Sequence, residues 1–316
     1  MILGTEFNSI IDLLTTFSNE QLCIDYLETL RWNNNPISPF DADSKVYNCK
    51  GNRYKCKNTA KYFNVKTGTM FDNTKIGLQK WFLGIWLVTS HKKGISSIQL
   101  GKDIKVTQKT AWFMLHRIRA CFGTIDGNNP QMVGDVEIDE TYVGGKNKNK
   151  HEHKKTKGTQ GRSTKDKVAV IGMVERGGIV KAAVTEGTSS KEITPLVEEN
   201  ISSDANVYTD EWSGYNGIKF TYNVEIVKHG KGEYVVGKAH TNTIEGFWSQ
   251  LKRSIIGIYH HVSKKHLQMY VDASAFRYNT RDLIESDRMT YLLTNCGIRT
   301  SYKNLIKGSE EFVLPF

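Results

Sequence analysis

Apolar residues recur at helical spacing in the first 125 positions and again near 245, and at strand spacing between them. Over 18–32, Ser18 and Gln21 form a capping box ahead of Leu22, Tyr26, Leu27 and Leu30, one face of a predicted helix. Residues 36–74 hold short Tyr-, Val-, Lys- and Asn-rich segments around Cys49, Cys56 and the turn at 66–69, which predicts a small β-rich knuckle. Residues 75–91 are apolar nearly all round and predict a buried helix. Two shorter helices follow, over 94–104 and 106–119, joined by a tight turn. Thr107 is the expected N-cap of the second; Gln108, Lys109 and Thr110 fill its first turn, and Trp112, Leu115 and Ile118 are kept for packing. That is the layout of a helix-turn-helix whose second helix enters the major groove N-terminus first; an ordinary helical hairpin is the alternative. His116, Arg117 and Arg119 lie further along, for phosphates or for solvent.

From Val133 the period changes to two: Val136 and Ile138 point one way, Asp135, Glu137 and Asp139 the other. Three acids on one strand face are costly unless that face meets solvent or a cation. Asp139, nearest the strand's end, is the first ligand candidate, with Glu137 second. Residues 146–167 break all periodicity and carry nine Lys/Arg against two acids, a solvated loop by composition that can clamp a DNA backbone through Lys154 and Lys155. His151 and His153 are taken as loop residues. A hairpin over 168–184, a helix capped by Ser189 and Glu192, a strand 206–209 delivering Asp210, a strand 224–228 and a final helix complete the order. This is the element order of an α/β, RNase H-like fold, three antiparallel strands extended by two parallel ones.

The final helix carries Ile244, Phe247, Trp248, Leu251 and Ile255 on one face, with Glu245 and Lys252 two turns apart along its edge. Asn242 to Glu245 also spells a capping box, the structural alternative for that acid. Asp210 and Glu245 have 34 residues between them. Two acids at strand ends and one on a facing helix supply ligands for a pair of divalent ions, as phosphodiester chemistry uses.

Composition narrows the partner. The chain has 316 residues, with 43 Lys+Arg against 33 Asp+Glu and a net charge of +10, which points to a polyanion, nucleic acid before membrane. No run of 18 apolar residues and no basic-then-apolar leader occur, so a soluble, cytoplasmic protein is expected. Five cysteines with no C-x-x-C pair suggest reduced thiols. Zinc is not expected in the knuckle, whose two cysteines stand seven apart with no histidine.

Gly68-Thr-Met-Phe71, Lys80-Trp-Phe82, Thr107-Gln-Lys-Thr-Ala-Trp112, Asp139-Glu-Thr-Tyr-Val-Gly-Gly145, Thr209-Asp-Glu-Trp-Ser-Gly-Tyr215, His240-Thr-Asn-Thr-Ile-Glu245, Phe247-Trp248, Leu251-Lys-Arg253 and Phe276-Arg-Tyr-Asn279 are spread over nearly the whole chain. With them the sequence resembles a bacterial insertion-sequence transposase of the DDE class, in the ISXO-type branch related to the eukaryotic Merlin elements. The resemblance implies Asp139, Asp210 and Glu245 as catalytic, metal-holding residues, with two Mg²⁺ (or Mn²⁺) ions, and Lys252 with Arg253 on the DNA. It implies terminal inverted repeats and target DNA as partners, strand cleavage and transfer as the reaction, action at the nucleoid, and assembly as a homodimer or higher. Some relatives have Asn as the third site residue, and Asn242 lies one turn before Glu245; Glu245 is preferred because carboxylate oxygen is the better Mg²⁺ ligand. Where many relatives carry a zinc ribbon, Ser38, Asp41 and Thr59 stand beside Cys56, a degenerate ribbon. The implied domains are an N-terminal helical segment (1–35), the knuckle (36–74), the helix-turn-helix region (75–125), the catalytic domain (132–285) and a tail (286–316). A non-catalytic DNA-binding derivative and a structure-selective RNase H-like nuclease are the alternatives.

Overall fold

The computed structural model describes residues 6–127, 130–144, 152–154, 167–227 and 240–307. The chain divides into two compact units, one of residues 1–125 and 282–316, the other of residues 126–281. No described helix is long and apolar enough to cross a membrane.

The first unit begins with α1 (Ile10–Thr16), which the sequence did not flag, capped by Ser9 and Asp12. Helix α2 (Glu20–Trp32) starts one residue later than expected, because Asn19, not Ser18, accepts the Leu22 amide at 3.1 Å. Its buried face is Cys23, Ile24, Tyr26 and Leu27. Strands β1 (Val46–Cys49), β2 (Arg53–Cys56) and β3 (Tyr62–Phe63) form the expected knuckle as an antiparallel sheet in chain order. The buried Cys56 thiol donates to Ser44 Oγ at 3.2 Å, and Trp32 closes edge-on over Tyr54 and Phe63. Helix α3 (Leu78–Ser90) buries Trp81, Phe82, Ile85 and Val88 on several sides. Helices α4 (Ser97–Asp103) and α5 (Gln108–Gly127) follow, joined by a four-residue turn. Thr107 Oγ1 accepts the Thr110 amide at 3.2 Å and so begins α5 as expected.

The second unit holds a five-stranded sheet. Strands β4 (Asp135–Val143), β5 (Val168–Glu175) and β6 (Val180–Thr185) are antiparallel neighbours. After α6 (Ser190–Asn200), β7 (Asn206–Asp210) returns parallel to β4, and β8 (Asn223–Val227) parallel to β7. The order β6-β5-β4-β7-β8, with helices on both faces, is that of an RNase H-like transposase fold. On one face Val136, Ile138, Ile171 and Met173 pack against Ile193 and Val197 of α6 and Tyr215 and Ile218 of the 3-10 helix Ser213–Phe220. On the other, Val170 and Val174 meet α7 (Asn242–Ser254) and α8 (Leu267–Asn279) through Ile244, Phe247, Trp248, Leu251 and Val271.

Helix α8 also seals the β6 edge. Asn279 accepts the Val180 amide at 2.7 Å and donates to its carbonyl at 3.0 Å. Gln268 accepts the Val184 amide at 2.7 Å and donates to Ala182 O at 3.0 Å. Unpaired edge groups invite foreign strands, so side-chain amides there are protective. Within the span expected as a C-terminal tail, α9 (Glu285–Thr294) belongs to the first unit, where Arg288 donates to Thr89 O at 3.2 Å and Tyr26 OH pairs with Thr290 Oγ1 at 2.7 Å. The final α10 (Tyr302–Lys307) lies beside α5 through Tyr302 and Phe113.

The closest helix-to-sheet approach depends on Gly172, which pairs with Asp139 across the β4–β5 ladder. A Cβ there would lie 2.6 Å from the Trp248 ring and 3.1 Å from Ile244 Cδ1. Gly172→Ala is therefore expected to push α7 off the sheet and to destabilise the second unit by about 1–3 kcal/mol. Urea unfolding followed by tryptophan fluorescence measures it; wild-type stability would show that the helix yields without cost.

Candidate active site

Strand β4 presents its acids to three different environments. Asp135 accepts from Asn206 Nδ2 at 3.1 Å and Tyr208 OH at 3.2 Å. Glu137, fully buried, is not left for a metal. Its Oε2 accepts the amides of Thr243 at 2.8 Å and Ile244 at 3.0 Å, and its Oε1 accepts Thr243 Oγ1 at 2.8 Å and Arg176 Nε at 2.8 Å. His240 Nδ1 lies 3.0 Å away. Arg176 also donates to His240 O at 2.8 Å and stacks 4.1 Å over the Tyr208 ring. A carboxylate at a helix N-terminus meets unsatisfied amides and the positive end of the helix dipole, so Glu137 caps α7 from a strand more than 100 residues earlier. The capping-box alternative at 242–245 is not formed: Thr241, not Asn242, is the N-cap, and the Glu245 amide bonds Thr241 O at 3.1 Å. Thr241 caps no amide with its side chain, and its hydroxyl donates to Glu245 Oε1 at 3.3 Å instead.

The acids converge not at the end of β4, as expected for Asp139, but at its middle, just beyond the last residue that pairs with β7. Oxygens of Asp139, Glu140 and Asp210 all lie within 4.8 Å of one another. Asp210 is the last residue of β7, where its Oδ1 accepts the Trp212 amide at 2.9 Å. Asp139 Oδ2 accepts Trp248 Nε1 at 3.1 Å, and Glu140, 8% exposed, accepts Tyr215 OH at 2.7 Å. Burial, then the negative charges of Glu140 and Asp210, push the Asp139 carboxyl up from 3.8 to about 7. Like charges held this close in a half-buried place are what a divalent cation relieves, and carboxylate oxygen is the donor Mg²⁺ and Mn²⁺ take. The donor set fits such an ion.

The structure thus brings Asp139 and Asp210 together and adds Glu140, which the sequence did not single out. Glu245 is exposed on α7 and is not a member of the group. Lys252 and Arg253, two turns along, are exposed too. Alternation along β4 assigns Glu140 to the apolar face, which hides its nearness to Asp139; the adjacent pair of acids inside one strand was the available signal. Gly172 in an otherwise apolar run was the other.

In the first unit, Gln108 Nε2 donates to Ser97 Oγ at 2.9 Å, binding α5 to α4, and Lys109 Nζ lies 5.2 Å over the Tyr302 ring. Thr110 shares a 2.9 Å hydroxyl bond with Thr107. The three residues that followed as phosphate candidates are internal: His116, Arg117 and Arg119 are 0%, 7% and 2% exposed. Arg117 is spent on the carbonyls of Thr300, Met70 and Asp72, so it fastens the unit together rather than facing DNA. In the basic loop, Lys155 and the side chain of Lys154 lie outside the described residues, as does His151; His153 is exposed.

Two outcomes follow. Glu137→Ala removes the carboxylate from Arg176 and two helix amides and is expected to cost about 3–5 kcal/mol in urea unfolding, with Glu137→Gln, which keeps an acceptor, costing less. A raised Asp139 pKa means the folded state holds its proton more tightly, so this group's contribution to stability is lost as pH rises from about 4 to about 7. Mg²⁺ or Mn²⁺ should then raise the melting temperature more at pH 8 than at pH 5, the stabilisation by a bound ion reaching about 2.7 kcal/mol at a hundredfold excess over Kd. Asp139→Asn should abolish both effects in differential scanning fluorimetry; an equal metal response at the two pH values would separate the ion from Asp139.

Comparison with known proteins places this geometry. Residues 131–279 match the family described as ISXO2-like transposase domain. An "Uncharacterized protein in transposable element ISH50" from Halobacterium salinarum is 31% identical over 277 residues, 84% of this chain and 92% of its own. An "Uncharacterized transposase-like protein" from Haemophilus influenzae is 21% identical over 104 residues, 33% of this chain and 84% of its own. Among solved structures, a pre-cleavage Mos1 transpososome aligns over 66% of this chain and 76% of that one, at 10% identity and a TM-score of 0.26, too low to carry an argument. The matched span contains the whole sheet, the acid cluster and α7, and with the full-length likeness to the ISH50 protein it shows that this chain belongs to the ISXO2-like, insertion-sequence DDE transposases.

Proposed function

We infer that the protein cuts DNA at the terminal inverted repeats of its own insertion sequence and joins the freed ends to target DNA. The observation that carries this is the convergence of Asp139, at the middle of β4, and Asp210, the last residue of the parallel β7, oxygens within 4.8 Å, inside a transposase domain. Asp139, Asp210 and Glu245 are the residues assigned to hold the metal. A pair of Mg²⁺ or Mn²⁺ ions bound there supplies activation of the attacking oxygen and charge stabilisation of the leaving one.

The chain's own groups do the rest. Trp248 Nε1 orients one oxygen of Asp139, and Trp212 N one oxygen of Asp210. Glu245, exposed in the first turn of α7, would join the two aspartates only when metal and DNA are bound, while Lys252 and Arg253 further along the helix pair with phosphates flanking the cut. Gln108, Lys109 and Thr110, at the start of α5, read base edges as a helix-turn-helix, and Lys154 and Lys155 clamp the backbone. Joining two ends in one event calls for at least a dimer, working on the cell's DNA in the cytoplasm.

A second assignment of the third acid has its own support: Glu140 is in the cluster and Glu245 is not. Cleavage of a duplex carrying the element's inverted repeat decides between them. Asp139→Asn and Asp210→Asn should each lower Mg²⁺-dependent nicking by about 100-fold or more with end binding intact. Glu245→Ala is expected to do the same and Glu140→Gln to cost less; the reverse pattern makes Glu140 the third ligand. Nicking that survives both aspartate changes would remove the site from the reaction, and absence of joined products would leave a nuclease.

A further inference from the structure

The chain between Glu245 and Asp272 contains no acidic residue. Within it, α7 does not simply end. Its last turn runs into a π-helical turn, Ile255–Tyr259, and then His260 takes a left-handed backbone, φ 59°. Both departures are energetically unfavourable for ordinary side chains and persist where surrounding contacts fix them, often at ligand sites. Here Tyr259 packs edge-on against Tyr270 of α8 at 4.7 Å, Ile255 is 8% exposed and Leu267 1%, so the elbow is rooted on both sides. His260 Nδ1 bonds Ile256 O at 3.0 Å and braces it internally.

This braced turn displays Ile256, 71% exposed, next to Gly257, around which a Cβ would meet nothing within 4 Å. Lys252 and Arg253 precede the isoleucine by four and three residues, and Lys264 and Lys265 follow it by eight and nine, all exposed. Among the described residues, Lys252, Arg253 and Lys264 form no ion pair. A lone exposed isoleucine is ordinary; one on a stiff turn inside an acid-free basic surface is not, because the surface suits a polyanion with apolar surface between its charges. Duplex DNA is such a ligand: lysine and arginine take phosphates, and an aliphatic side chain enters the minor groove or wedges at a base step. A second copy of this chain would bring a like-charged elbow, on a protein of net charge +10.

We propose that the elbow from Lys252 to His266 is a duplex-contacting element, with Lys264 and Lys265 on phosphates and Ile256 in the minor groove. It rests on the DNA-processing reading above but does not require the acids, so the two fail separately.

The test uses the full-length protein and mixed-sequence duplex DNA. Lys264→Ala with Lys265→Ala should weaken binding and lower the slope of log K against log salt by about 1–2, near 0.9 for each phosphate no longer neutralised. Ile256→Asp should weaken binding about tenfold or more with an unchanged melting temperature, whereas Phe220→Asp, at a 94% exposed site of the same unit, should not. A photo-crosslinking amino acid at 256 should attach to DNA. Wild-type affinity and slope in the elbow variants, or attachment of residue 256 only to another copy of this chain, overturns the proposal while leaving cleavage by the acid cluster standing. Loss of Mg²⁺-dependent cleavage with these binding results intact overturns the catalytic reading and keeps the elbow.

Discussion

One buried carboxylate ties the two ends of the second unit's chain together. Glu137 comes from the first strand of the sheet, and the amides it caps belong to a helix that the chain reaches only after four more strands. Its burial is tolerable because its lone pairs are taken up by Thr243, Ile244 and Arg176, and a charge so enclosed is expensive to strand. The consequence is positional. With its first turn pinned to β4, α7 lays Trp248 over Gly172 and against Asp139, and holds Glu245, Lys252 and Arg253 exposed in a fixed register along the helix.

Much of this was legible in the sequence. Period-two alternation located β4, the pair at Ser189 and Glu192 located α6, and element order indicated the mixed sheet. The roles of individual acids were harder to read, because alternation tells which way a side chain points and not what awaits it. Glu137 and Asp139 lie on one face and are two residues apart, yet one is consumed by a helix terminus and the other by an acid cluster. Glu140 points to the opposite face by the same rule, and its carboxylate still comes within 4.8 Å of the two aspartates. The capping-box alternative at 242–245 is not formed because the helix starts one residue earlier, at a cap on Thr241, and its first amides are taken by a long-range carboxylate that no local motif announces.

The same lesson holds for the basic residues. His116, Arg117 and Arg119 follow directly on a helix start suited to DNA, and charge alone would put them outside. Each is enclosed by the first unit, with Arg117 spread over three carbonyls that belong to two distant segments. Guanidinium groups serve such multi-segment fastening because they offer several donors in a rigid plane. Net charge therefore overstates the surface available to a polyanion, and the elbow after α7, where the cations face outward, matters more than the count.

The amide pairs of Gln268 and Asn279 along β6 have a bearing on how copies of the protein can associate. Because both residues meet backbone donors and acceptors together, another molecule's strand could extend the sheet there only by first evicting a helix. Runaway stacking through that border is closed off, so copies that meet on this side of the sheet must do so through side-chain surfaces, whose geometry can be specified.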